Sequence, residues 1–89
     1  MIFIIDNLKF DTDKMELISS LCRVSCSNSF GLSIKLLCKL YRSRKGNWIA
    51  VYGSGREAAI RLSEKEATSL LLQYDVPVYE KIVGELEEG

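Results

Sequence analysis

The chain has no histidine, so the side chain that most often moves protons in catalysis is missing. No apolar run approaches the ~20 residues that a helix needs to span a bilayer. The opening residues, MIFII, stop at Asp6 without a basic flank, which is too short for a signal-peptide core. No membrane is expected as a partner, and the cytoplasm is the expected compartment. Cysteine is scarce as well: Cys22, Cys26 and Cys38 are an odd three, best read as reduced thiols. Cys22 and Cys26 have C-x3-C spacing, yet a structural zinc takes four ligands and there is neither a histidine nor a second cysteine pair. Small buried apolar side chains are the expected role, and neither a metal nor a cofactor is expected.

What is present is enough for one domain. Eighty-nine residues, 47% of them apolar, suit a single unit over 1–89 with an acidic tail at 85–89. The net charge of zero hides a polarity along the chain. Residues 1–34 hold three basic and four acidic groups, residues 35–61 seven against one, and residues 62–89 two against seven.

Periodicity sets the expected elements. Runs at 2–5 and 8–10 flank Asp6-Asn7, a pair that tolerates positive φ and suits a two-residue hairpin. A helix is expected near 13–23, with Asp13 as cap, Glu16 completing a capping box, and Met15, Ile18 and Leu21 or Cys22 on one face. The polar cluster at 25–29 is expected to be a loop. From Ser33 the period becomes two, predicting strands near 34–42, 48–52 and 58–62, with turns at Arg44-Lys45-Gly46-Asn47 and at Gly53-Ser54-Gly55. Ser63-Glu64-Lys65-Glu66 is a second capping box, opening a helix over 64–74. Asp75 is expected to cap a last helix over 76–83, with Pro77 in its first turn and Gly84 ending it. The expected fold class is α+β: a three-stranded antiparallel β-meander, with the N-terminal hairpin as a candidate extension and helices packed on one face, in the order ββαβββαα. Ile18, Leu36, Leu40, Ile60, Leu62, Leu70 and Leu71 are the expected core.

Catalytic equipment is thin. Cys38 lies in an apolar strand pattern, whereas Cys26, expected in a loop, is the one thiol that a reactive-thiol enzyme would use. Carboxylates fall at helix starts and in the tail, where caps and solvation explain them. Gly53-Ser54-Gly55-Arg56 lacks the spacing and the lysine of a phosphate loop and reads as a turn. No catalytic residue is expected, and the protein reads as a non-enzyme.

Two charged blocks carry the candidate binding surfaces. Lys35, Lys39, Arg42, Arg44, Lys45, Arg56 and Arg61 lie on or beside the meander, interleaved with Tyr41, Trp48 and Tyr52. Cations hold phosphates and aromatic faces stack on bases, so this is the candidate nucleic-acid interface. The structural alternative is that the basic residues solvate a sheet face while the aromatics pack under the helices. The acidic block holds Glu64, Glu66, Glu80, Glu85, Glu87 and Glu88. Helix dipoles explain several of these, and together they offer a negative face for a basic channel on a protein partner.

The succession Leu40-Tyr41-Arg42, Lys45-Gly46-Asn47-Trp48, Leu62-Ser63-Glu64-Lys65-Glu66-Ala67, Tyr79-Glu80-Lys81-Ile82 and Gly84-Glu85-Leu86-Glu87-Glu88 resembles a group of small mobile-element proteins. These are carried by phages, plasmids and conjugative elements of Firmicutes, and some are anti-CRISPR proteins. Members open with a strand pair, then Asp-Thr and a helix, a pattern met here by Phe10-Asp11-Thr12-Asp13. The chain departs from the group between the second meander strand and Ala58, where only 53–57 stand in place of a longer Gly-rich insertion. The shared motifs are turns, caps and core positions. The resemblance implies an inhibitor of host defence that binds a CRISPR–Cas effector complex in the bacterial cytoplasm, and it implies no catalytic residue. The alternative is a nucleic-acid-binding or regulatory module that uses the basic meander.

Overall fold

A computed structural model describes residues 1–27, 30–53 and 55–84. It opens with β1 (Ile2–Ile5) and β2 (Leu8–Asp11), paired antiparallel across Asp6 and Asn7. Both turn residues have positive φ, 52° and 64°, the backbone that matches a tight hairpin to the twist of its strands.

The helix expected over 13–23 is not formed. Thr12–Lys14 makes one 3-10 turn, capped by the Asp11 carboxylate, which accepts the Asp13 N–H at 3.1 Å. The chain then extends into β3 (Glu16–Ser19) and β4 (Arg23–Ser27), so the polar stretch expected as a loop is a strand as far as Ser27. Asn28 and Ser29 lie outside the described residues. The physical reason is the length of β5 (Ser33–Arg42), ten residues with an edge to fill. β3 pairs with its last part and β4 with its first, giving these residues a backbone partner that an isolated helix would lack. A period of two does run through this stretch: Cys22 and Val24 are buried and Cys26 half-buried, while Arg23, Ser25 and Ser27 point out.

The meander is as expected. β5, β6 (Trp48–Tyr52) and β7 (Ala58–Leu62) pair in sequence order, with Gly46 at φ 84° in the first turn. In the second turn Ser54 lies outside the described residues. Gly53 is required there: its φ is 105°, and an added Cβ would stand 2.6 Å from the Arg56 carbonyl oxygen. Two helices follow, α1 (Glu64–Tyr74) and α2 (Val76–Ile82), with Gly84 at φ 131° after the second. The Ser63 capping box is complete in both directions. Asp75 does not cap α2 with its side chain, because that carboxylate turns inward to accept the Ser19 hydroxyl at 2.7 Å.

The two sheet faces are covered by different layers. On one face Cys38, Leu40, Trp48, Ala50 and Leu62 pack against Ala67 and Leu71 of α1. On the other, Ile49 and Val51 pack against Phe10, with Phe3 and Ile5 beside them, so the hairpin is a separate two-stranded sheet over the meander and does not extend it. Leu40, Leu62 and Leu71 are buried as expected, whereas Ile18, Leu36, Ile60 and Leu70 are only half-buried. Ala67 and Leu71 form the inner line of α1, and Leu70 flanks it.

Candidate functional site

The strand register separates the basic residues that the sequence grouped. Residues opposite one another in antiparallel strands share a face. Lys39 stands opposite Val51 and Arg61 opposite Ile49, which puts both, and by alternation Lys35, on the hairpin side. Arg42, opposite Trp48, is on the helix side. Arg44 and Lys45 occupy the turn at one end of the sheet, and Arg56 the turn at the other. Trp48 is 2% exposed, so it offers no face to a base and belongs to the core, contrary to its expected place in a nucleic-acid interface. The Arg42 guanidinium lies 5.3 Å from its ring centroid and also meets Glu16 at 3.5 Å. Arg61 is tied down too, donating to the Asn47 side-chain oxygen at 3.1 Å and lying 3.9 Å from Asp6.

Three of the predicted basic residues do converge, and with partners that no local pattern announced. Arg42, Arg44 and Lys45 line an open groove of about 980 Å³ together with Lys9 of β2 and Lys14 of the 3-10 turn. Acidic side chains share the groove, each with a partner of its own. The Asp11 carboxylate caps the 3-10 turn, Asp13 lies 3.7 Å from the Met1 amine, and Glu16 faces Arg42. Lys9, Lys14, Arg44 and Lys45 form no ion pair with any described residue, so the groove keeps a positive excess. Roughly thirty residues separate Lys14 from Arg44 in the sequence. Only the folding of the hairpin over the meander brings them together.

The acidic block divides differently. Glu64 and Glu66 stand in the first turn of α1, and Glu80 is half-buried in α2. Glu66 already serves the cap: its carboxylate accepts the Ser63 N–H at 3.0 Å, and that bond holds its pKa below the usual carboxylate value. Glu85, Glu87 and Glu88 lie outside the described residues.

The thiols sit on the helix side of the sheet. Burial pushes the Cys22 thiol up despite the nearby Ser19 hydroxyl, and pushes Cys38 up to about 11. Cys26, half-buried on β4 and not in a loop, lies against the helix-side core. A thiolate nucleophile is disfavoured at the two buried positions. Among the described residues no three histidine, cysteine or carboxylate side chains cluster to hold a metal ion.

A further surface arises from the unequal lengths of β5 and β6. β5 outruns β6: residues 38–42 pair with β6, but 33–37 pair, among the described residues, with β4 alone. The β4–β5 ribbon is therefore an arm reaching beyond the part of the sheet built from β3, β5, β6 and β7. Apolar side chains are open along it, with Leu37 57%, Leu32 63% and Phe30 87% exposed. No protein-family model, curated protein or solved structure matches the chain.

Proposed function

We propose that this protein is a non-catalytic binding protein, an anti-CRISPR type of inhibitor from a phage or other mobile element that docks on a CRISPR–Cas effector in the cytoplasm of its bacterial host. The observation that carries a binding role is the arm. It leaves Leu37 exposed on β5 and Leu32 and Phe30 exposed in the turn before it, and large exposed apolar side chains are what protein interfaces bury. The motif succession from Leu40 to Glu88 supports the choice of effector. Charge adds to it, since Glu64 at the start of α1 is open to meet the basic surface with which an effector holds nucleic acid. The test is interference in cells, or effector-dependent DNA cleavage, with and without the protein, across the CRISPR types of its host. Loss of cleavage is expected for one type. Full effector activity at a large molar excess, in every type, overturns the assignment.

A second function is favoured by a different observation, the positive excess of the groove at Lys9, Lys14, Arg44 and Lys45. A nucleic-acid backbone laid there would be held through phosphates, without stacking, because Phe10 and Trp48 nearby are buried. Absence of binding to single- and double-stranded DNA and RNA at low salt eliminates this alternative.

A further inference from the structure

Where β6 ends at Tyr52, β5 still has five residues that pair with no strand on that side among the described residues. Along a strand the N–H and C=O groups of successive residues point to opposite edges. The Cys38 N–H donates to the Cys22 carbonyl at 2.9 Å, on the β4 side. The same groups of Lys35 and Leu37 therefore point away from β4, and neither residue's N–H is bonded to any described residue. An open concavity of about 380 Å³, lined by Leu36, Leu37, Tyr52, Gly53 and Glu57, lies where a continuation of β6 would run.

The side chains beside this edge state what would fit it. One face carries Lys35, with Arg23 and Lys39 near it, and the other carries Ile34 and Leu36. The chain has no aspartate or glutamate between Glu16 and Glu57, so the arm supplies no countercharge of its own, and Glu57 is the one carboxylate lining the concavity, against the cations Lys35, Arg23 and Lys39.

We propose that the open edge of β5 at residues 33–37 takes one extended segment of a partner protein by strand addition, a segment in which acidic and apolar residues alternate. The proposal rests on the binding role assigned above and names its surface. The main-chain groups of Lys35 and Leu37 supply the ladder, and the Lys35 and Leu36 faces select the side chains. A second copy of the arm is the wrong occupant: symmetric pairing about Lys35 sets two ammonium groups side by side, with no carboxylate to separate them.

A capped seven-residue peptide alternating glutamate and valine is the probe, and its lysine–valine counterpart the control. With the glutamate peptide, amide exchange at Lys35 and Leu37 slows; with the control it does not. Lys35→Pro removes one outward N–H and leaves the β4 ladder whole, so it keeps the fold and weakens the peptide about tenfold or more. Lys35→Glu keeps the backbone edge and narrows the preference for the glutamate peptide, which tests the proposal even if the proline variant does not fold. Equal binding of both peptides, protection elsewhere, unchanged binding by both variants, or self-association through this edge overturns the proposal. The outcome is separable from that of the functional assignment. If Lys35→Pro inhibits an effector as well as the parent protein does, the edge is excluded and the inhibitor stands. If the parent binds the peptide and inhibits no effector, the edge stands and the inhibitor is excluded.

Discussion

Single residues decide where this small fold is vulnerable. Ser19 is 5% exposed and Asp75 9%, and the hydroxyl of one donates to the carboxylate of the other at 2.7 Å. Ser19→Ala leaves a buried carboxylate without that donor, which costs about 1–3 kcal/mol and should lower Tm by several degrees in a calorimetric scan. The pair was hidden in the sequence, because Asp75 before Val76-Pro77 also reads as an ordinary helix cap and Ser19 is 56 positions away. The Ser63–Glu66 box, by contrast, could be read directly, since both its bonds are local. Glu66 also sets a pH dependence. Its folded pKa is lowered, so its contribution is present above the ordinary carboxylate range and is lost as pH falls through the folded value. Glu66→Gln, which can still accept the Ser63 N–H, should flatten that part of an acid denaturation curve. The buried thiol has the opposite sense. With Cys38 raised from 9.0 to about 11, its contribution is full below pH 9 and declines as pH rises toward 11. At pH 8 a thiol reagent should modify Cys26 first, and Cys22 and Cys38 only as fast as the protein unfolds. Rapid modification of all three would contradict the packing.

At the scale of elements, the second half of the chain was readable and residues 13–27 were not. β5, β6, β7, α1 and α2 lie within a residue or two of their expected bounds, because strand alternation, a tight turn and a capping box agree there. In residues 15–22 the spacing of Met15, Ile18 and Cys22 fits a helix, but the partner that overrules it, β5, begins at Ser33. Backbone chemical shifts should therefore report extended structure over 16–19 and 23–27. Helical shifts there would contradict the sheet. The same contrast applies to α1. Leu71 is fully buried and Leu70 half-buried, so Leu71→Ala should cost about 2–5 kcal/mol and Leu70→Ala clearly less in denaturant unfolding. Equal losses would show that the helix presents a different face.

For the whole molecule, the basic residues that are neighbours in the sequence do not share one face of the sheet. The antiparallel register turned Lys39 and Arg61 toward the hairpin and Arg42 toward the helices, and hairpin docking then gathered Lys9 and Lys14 beside Arg44 and Lys45. Alternation along a strand is a local property and could be counted from the sequence, whereas which layer covers which face is settled by packing between distant segments. If the groove holds phosphates, removing Arg44 and Lys45 together should reduce the log–log salt slope by about 1.4–1.8 in a binding titration. The charge reversal suited to the acidic side is Glu64→Lys, which should slow association with an effector and leave Tm similar, because Glu66 is part of a cap and Glu80 is half-buried. The proposed mode of action is occupation of a partner, not its alteration. It is tested most directly by residual effector cleavage, measured against the molar ratio of protein to effector at several incubation times. Binding predicts activity falling to its floor near a fixed molar ratio, the same at every incubation time. Inactivation far below one equivalent that deepens with time would contradict it, as would full activity at large excess.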